Sequence, residues 1–379
     1  MTRTTALVCL LLFLAPACSD DGTPAVDASL ALDGLHDLGA ADTIADAGRP
    51  KSCLDQDAKL QAALDAARTS PNAMLVVRNT TCGTTVYVSG DSATASASSL
   101  WRIGSVTKTF VAATILTLVR DGKLSLSDPL SKWVQNVPNT DGVTVKMLLN
   151  HTSGIFNCTE DPKLWQDPLK EQAPEEVVAL ATTHPPSFAP GTDWEYSNTN
   201  YILLGMIAEK AGGAKASALI RERALVPAGL DQTFLEGDET LGGTLATGFD
   251  QNKNDVTQKY TMTVPWTAGA MTASGADLCD WIHDLLASSK VLTDAERKTM
   301  LDTVAAGPKM TYGLGVMVLD PSITMGAGPA QGHGGDIFGY HTQAFYFPDK
   351  KTAICAVVNQ DGVNPNDLTV AALTALFPQ

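Results

Sequence analysis

At 379 residues with 44% hydrophobic side chains, the chain is long enough to bury one large core or two closely packed lobes. Twenty-six basic side chains face 41 acidic ones, a formal net charge of −15. That balance argues against nucleic acid and anionic membrane surfaces as partners, since both are held by basic patches.

Arg3 followed by the apolar run ALVCLLLFL at 6–14 predicts a signal peptide over 1–17, with Ala15 and Ala17 in the small-x-small cleavage pattern. The apolar run is too short to span a bilayer. Cys18 would then open the mature chain in a lipobox-like setting, with Ala15 where leucine is usual. The expectation is an exported bacterial protein anchored at the envelope through a lipid on Cys18, or secreted or periplasmic without it. Residues 18–50 follow as an acidic tether. Seven aspartates face Arg49 alone and no aromatic is present, so too little apolar surface exists to offset the entropy of ordering. The globular domain is expected over 51–379.

That domain holds Cys53, Cys82, Cys158, Cys279 and Cys355 without any CxxC spacing, which gives no sign of a structural zinc site. In an oxidising compartment Cys53 and Cys82 are the first candidate disulfide pair. Cys158 or Cys279 is expected as a buried free thiol.

Residues 54–70 carry helical apolar spacing, and 73–79 with 84–90 alternate as a hairpin around Gly83. An apolar helix is predicted from Thr107 to Val119, closed by Gly122, and the stretch from about 125 to 300 reads as mostly helical and loop-rich. Strands return at 311–319, 342–348 and 352–359, the last two joined by the turn PDKK, before a closing helix over LTVAALTALF. Strands at both ends with helices between predict an α+β fold: one antiparallel sheet built from both chain ends, flanked by helices, with a mainly helical lobe inserted.

Three short motifs could carry chemistry. Ser105-Val-Thr-Lys108 puts a hydroxyl and an amine on one helix face, where the amine could take the serine proton if burial or nearby cations lower its pKa. Taken alone, Ser105 could equally cap the helix with Lys108 at the surface. Tyr196-Ser-Asn198 offers a phenol able to shuttle protons once its pKa falls near cations, and a carboxamide able to hold a substrate amide. Alone it is also an ordinary turn. His333-Gly334-Gly335, ahead of a strand, lets backbone approach a ligand, and the Asp336 N–H could join that of Ser105 as an oxyanion donor. Alone it is a glycine-rich turn.

In the order S-x-x-K, Y-x-N, H-x-G, at intervals of 91 and 137 residues, these motifs resemble the serine β-lactamase and penicillin-recognising family. The similarity is to the branch of class C β-lactamases, D-alanyl-D-alanine carboxypeptidases and related esterases. LLNHTSGI, YSNTNYILLGMIAEKAGG, AGAMTASGADLCDWI, YGLGVMV and GHGGDIFGYHT extend it over about 55–378. The resemblance implies a serine hydrolase with its active site between sheet and lobe. Ser105 would form an acyl-enzyme, Lys108 and Tyr196 would share the acid/base work, and Asn198 would orient the lysine and the substrate amide. His333, Gly334 and Gly335 would line the substrate site. His333 replaces the lysine of the lactamases' K-T-G, which argues against an efficient β-lactamase.

The expected activity is D-alanyl-D-alanine carboxypeptidase-like, with esterase or weak β-lactamase action as the alternative on the same site. A non-hydrolytic sensor that binds penicillin or cell-wall peptide is the alternative of a different class. Partners would be small peptides, esters or amides, including a peptidoglycan stem peptide, with no nucleic acid, no metal or other cofactor, and a monomeric state. No G-x-S-x-G elbow is present, and His151, His184, His283 and His341 fall in no metal-binding spacing. His151 reads as part of a structural turn. Trp194 reads as core or pocket wall, and Trp266 is placed near the pocket rim.

Overall fold

The computed structural model describes residues 49–378. The signal peptide, the lipid expected on Cys18 and the tether up to residue 48 lie outside the described residues. Arg49, assigned to the tether by composition, is tied to the domain: it pairs with Asp57 at 2.8 Å and donates to Thr85 Oγ1 at 3.1 Å.

In chain order the strands are β1 (Asn72–Asn79), β2 (Gly83–Gly90), β3 (Leu100–Arg102), β4 (Thr233–Leu235), β5 (Met271–Ser274), β6 (Val304–Gly307), β7 (Met310–Tyr312), β8 (Met317–Leu319), β9 (Ala330–Ile337), β10 (Tyr340–Phe347) and β11 (Thr352–Val358). The helices that frame the site are α1 (Lys51–Ala67), α2 (Thr107–Arg120), α3 (Asn198–Gly212), α4 (Gly275–Ala287) and α5 (Asn366–Leu376). Eight strands form one antiparallel sheet in the order β2-β1-β11-β10-β9-β8-β7-β6, so both chain ends build it, as the sequence predicts. A second sheet, β3-β5-β4, was not anticipated.

Alternation along β1 and β11 explains the layers. Leu75, Val77, Ile354 and Ala356 pack with Leu60 and Leu64 of α1 and with Leu368 and Ala372 of α5. Met74, Val76, Cys355 and Val357 face the other way, against Leu278 and Trp281 of α4 and the lobe. Both sheet faces are therefore covered, which is why these strands read as unbroken apolar runs. Helix α2 is buried from Thr107 to Leu118, matching its all-round apolar sequence. Its Phe110 stacks on Trp281 with ring centroids 4.0 Å apart.

Two predicted elements change form. The stretch 311–319 is two strands rather than one. It turns at Gly315, whose φ of +77° no bulky residue adopts readily and whose missing Cβ lets the turn lie against the Lys108 carbonyl. The GHGG run is not a turn ahead of a strand but the body of β9.

Cys53 and Cys82 are disulfide-bonded across 29 residues, tying α1 to the β1–β2 turn, and Cys158, Cys279 and Cys355 are buried and free. Closing a loop of that size removes unfolded-state entropy worth roughly 3–4 kcal/mol. Cys82→Ser is expected to lower stability by about that much in urea unfolding, with per-molecule activity unchanged because this bond lies far along the sheet from the catalytic turn. A midpoint unmoved by reduction or by the substitution would refute that estimate.

Candidate active site

After β3 the chain enters a short 3₁₀ turn, Gly104–Val106, and α2 starts at Thr107. No side chain caps α2. The Ser105 hydroxyl is thus not spent on the helix end, and the capping explanation of Ser105 falls. One turn on, Lys108 is fully buried, and its Nζ lies 2.9 Å from Ser105 Oγ, 2.8 Å from Asn198 Oδ1 and 2.6 Å from the Ala268 carbonyl.

Two of those three partners can only accept. A neutral amine gives its two N–H groups to Asn198 and Ala268, which leaves its lone pair directed at the serine hydroxyl. Burial holds the Lys108 pKa well below the usual lysine range and favours that neutral form. Asn198, the first residue of α3, is itself fixed because its Nδ2 donates to Thr159 Oγ1 at 3.1 Å.

Tyr196 sits just before α3, with Lys108 Nζ 4.8 Å from its ring centroid. The phenol was expected to have a pKa lowered by cations. Burial instead pushes it up, partly offset by its hydrogen bond with Ser105. Tyr196 therefore stands protonated beside Ser105, and Lys108 is the neighbouring group whose neutral form burial favours.

His333 behaves as the weak carboxylate anchor that the sequence suggests. It is fully buried, its Nδ1–H is bonded to the Gly334 carbonyl, and its Nε2 accepts from the Tyr312 hydroxyl at 2.9 Å. Burial and the nearby Lys108 lower its pKa to about 3. The ring borders the cleft but is neutral and internally bonded, so it offers no charged anchor to a carboxylate.

The close approach made possible by these glycines is to the chain's own backbone. A Cβ on Gly335 would collide with the Ile103 carbonyl and lie 3.0 Å from the Ser105 backbone nitrogen, while a Cβ on Gly104, whose φ is +51°, would meet the Asp336 nitrogen at 2.7 Å. β9 thus lies directly against the nucleophile turn, with the Asp336 and Ser105 nitrogens beside one another.

A cleft of about 880 Å³ opens over Ser105, Tyr196, Asn198, Gly334 and Gly335. Among the described residues Asp250, Asp336 and Asp361 line it, and no arginine or lysine does. His341 adds a cation there, 2.5 Å from Asp336 Oδ1 and 3.4 Å from Asp361 Oδ1. Burial opposes that charge, but hydrogen bonds and the charges of the two aspartates outweigh it and raise the pKa to about 9. Sequence reasoning missed Asp250 and Asp361, which loops distant in sequence bring in, and His341, which β10 places opposite Asp336. It also missed the Ala268 carbonyl, which no residue-type pattern can flag. Trp266 is buried, with its Nε1 near Asp238 and its ring against Gly205, rather than on the rim. Among the described residues no group of three or more His, Cys, Asp or Glu stands close enough to hold a metal ion.

A nucleophilic serine bonded to a buried lysine, between an antiparallel sheet and a helical lobe, defines a serine hydrolase of the β-lactamase and penicillin-binding-protein type. The Beta-lactamase family profile matches residues 60–378, and the chain belongs to that family. It is 28% identical over 272 residues to a D-aminopeptidase of Brucella anthropi, covering 69% of this chain and 49% of that protein. It is 35% identical over 141 residues to penicillin-binding protein 4* of Bacillus subtilis, covering 36% and 30%. The chain thus spans half or less of those relatives' length. Among solved structures, a D-stereospecific amidohydrolase from Streptomyces sp. superposes with a TM-score of 0.75 at 29% identity, covering 85% of this chain and 99% of that one. The D-amino acid amidase of Ochrobactrum anthropi SV3 gives 0.77 at 25%, covering 85% and 98%.

Proposed function

We propose that the protein is an exported serine acyl-hydrolase that opens small amides and esters through a Ser105 acyl-enzyme. The observation that carries this reading is the Lys108 amine, buried and directed at Ser105 Oγ. Ser105 Oγ attacks the carbonyl as its proton passes to Lys108, and the backbone N–H groups of Ser105 and Asp336 hold the oxyanion. As the tetrahedral species collapses, the leaving nitrogen or oxygen takes a proton from the Tyr196 hydroxyl, which Lys108 replenishes. Water then attacks the acyl-enzyme, returning the acid and Ser105.

Cleft charge narrows the substrate. Three carboxylates against one imidazolium disfavour a free carboxylate at that end and favour a neutral or ammonium-bearing acyl group. Amino-acid amides and short peptides with a free D-amino end, the class named for the aminopeptidase and amidase relatives, therefore rank ahead of D-alanyl-D-alanine carboxypeptidase action, with simple esters close behind.

The test compares D-alanine p-nitroanilide, a D-alanyl-D-alanine peptide, p-nitrophenyl acetate and a fluorescent penicillin, each with wild type and Ser105→Ala. Turnover of the free-amine anilide and the ester, lost in Ser105→Ala, is expected. Stable penicillin labelling without turnover of any substrate would point to the sensor, and activity surviving in Ser105→Ala would sink the mechanism. Export with a lipid on Cys18 has its own check in the mass of the mature N-terminal peptide.

A further inference from the structure

His151 has no place in the chemistry above, yet its geometry is unusual on three counts. It is fully buried, its φ is +63° in the left-handed region that few side-chain-bearing residues occupy, and its ring centroid lies 4.4 Å from that of Tyr196. Its main chain and its side chain both hold the residues flanking Tyr196. The Glu195 N–H donates to the His151 carbonyl at 3.1 Å, and the Ser197 N–H donates to His151 Nδ1 at 3.2 Å. One residue therefore grips the chain immediately before and immediately after the phenol.

Nδ1 also meets the Asn200 amide at 3.1 Å, whose Oδ1 in turn accepts from the Ser153 hydroxyl at 2.7 Å. Because a backbone N–H can only donate, Nδ1 must be the unprotonated nitrogen, so the ring is held as one tautomer. The left-handed backbone is what allows carbonyl and ring of the same residue to reach both neighbours of Tyr196, and the ring face completes the seat.

We infer that His151 is a positioning residue for the reaction, a two-sided clamp that sets the Tyr196 hydroxyl against Ser105. It touches no substrate, and it acts only through the Tyr196 segment. This rests on the acyl-enzyme reading above.

His151→Gly isolates the side chain, because glycine keeps the left-handed backbone and the carbonyl that Glu195 uses while removing Nδ1 and the ring. A displacement of the acid by about 1 Å costs roughly a hundredfold. The expected result is a fall in kcat of about that size on p-nitrophenyl acetate, with KM within about threefold, after normalising to active sites titrated with a fluorophosphonate. The fluorophosphonate labelling rate should fall in parallel. His151→Asn tolerates the same backbone and offers Oδ1 to the Ser197 N–H but lacks the ring face against Tyr196, so it should recover about tenfold of the lost kcat and stay severalfold below wild type.

A normalised kcat for His151→Gly equal to wild type overturns the clamp. So does a His151→Asn variant no better than glycine, since the restored Oδ1 acceptor for the Ser197 N–H would then carry nothing. If the glycine variant yields no titratable sites, His151→Asn decides: a kcat reduced severalfold at constant KM supports the clamp, and wild-type kcat refutes it. Wild-type protein that neither turns over the ester nor takes the fluorophosphonate refutes the acyl-enzyme reading itself, and the clamp's catalytic role with it.

Discussion

Lys108→Met is expected to slow acylation of Ser105 by roughly 10²–10⁴-fold, the usual worth of a positioned general base, while the protein still folds. Burst kinetics with a p-nitrophenyl ester would show it, and a burst within tenfold of wild type would exclude Lys108 as the base. Lys108→Arg should rescue nothing, because a guanidinium stays protonated and cannot accept the serine proton. The pH dependence has a definite sign. Burial holds the Lys108 pKa well below its ordinary 10.5, so the neutral base persists to lower pH than an exposed lysine would allow. The unfolded lysine keeps its proton up to that ordinary value, whereas the folded one has already lost it. Between the lowered pKa and 10.5 the unfolded state binds more protons, and stability rises with pH across that window. Lys108→Met should flatten this slope in urea unfolding measured at several pH values.

Gly335→Ala is the second large effect. The added methyl would strike the Ile103 carbonyl and crowd the Ser105 nitrogen. β9 would have to move away from the nucleophile turn and take the Asp336 N–H with it. Losing one oxyanion donor costs about 10²–10³ in kcat, and overpacking costs about 1–3 kcal/mol of stability. Gly334→Ala serves as the stability control, since its methyl would meet nothing nearer than the Thr342 carbonyl at 3.7 Å. Equal denaturation midpoints and equal kcat for Gly335→Ala and wild type would mean that β9 does not form part of the site.

The sheet was legible because β1, β10 and β11 carry apolar and β-branched runs bounded by turn residues. β9 was not, because a strand written GHGG has almost no strand propensity. It is held there by pairing with β10 and by contact with the catalytic turn. Among site residues, Ser105, Lys108, Tyr196 and Asn198 were found by order and spacing, and the structure brings them together. The charge of the cleft could not be read, since Asp250, Asp336 and Asp361 come from separate segments and ordinary surface aspartates look the same. The state of Tyr196 was misjudged because burial, which sequence does not report, pushes its pKa up; burial also makes His333 neutral, as its place in an H-x-G rather than a K-T-G motif allowed.

Because β1 pairs with β11, with Met74 opposite Val357, and Asn72 bonds Asn359 across 287 residues, the central sheet cannot close during synthesis until nearly the whole chain has appeared. Helix α2 and its nucleophile turn consist of local contacts and can form early, but β9, which faces Ser105, arrives about 230 residues later. An incomplete chain would thus carry Ser105 without β9 and the Asp336 N–H against the Gly104–Ser105 turn. With that topology, reactivity at Ser105 would be expected only once β1 and β11 have paired and β9 has docked.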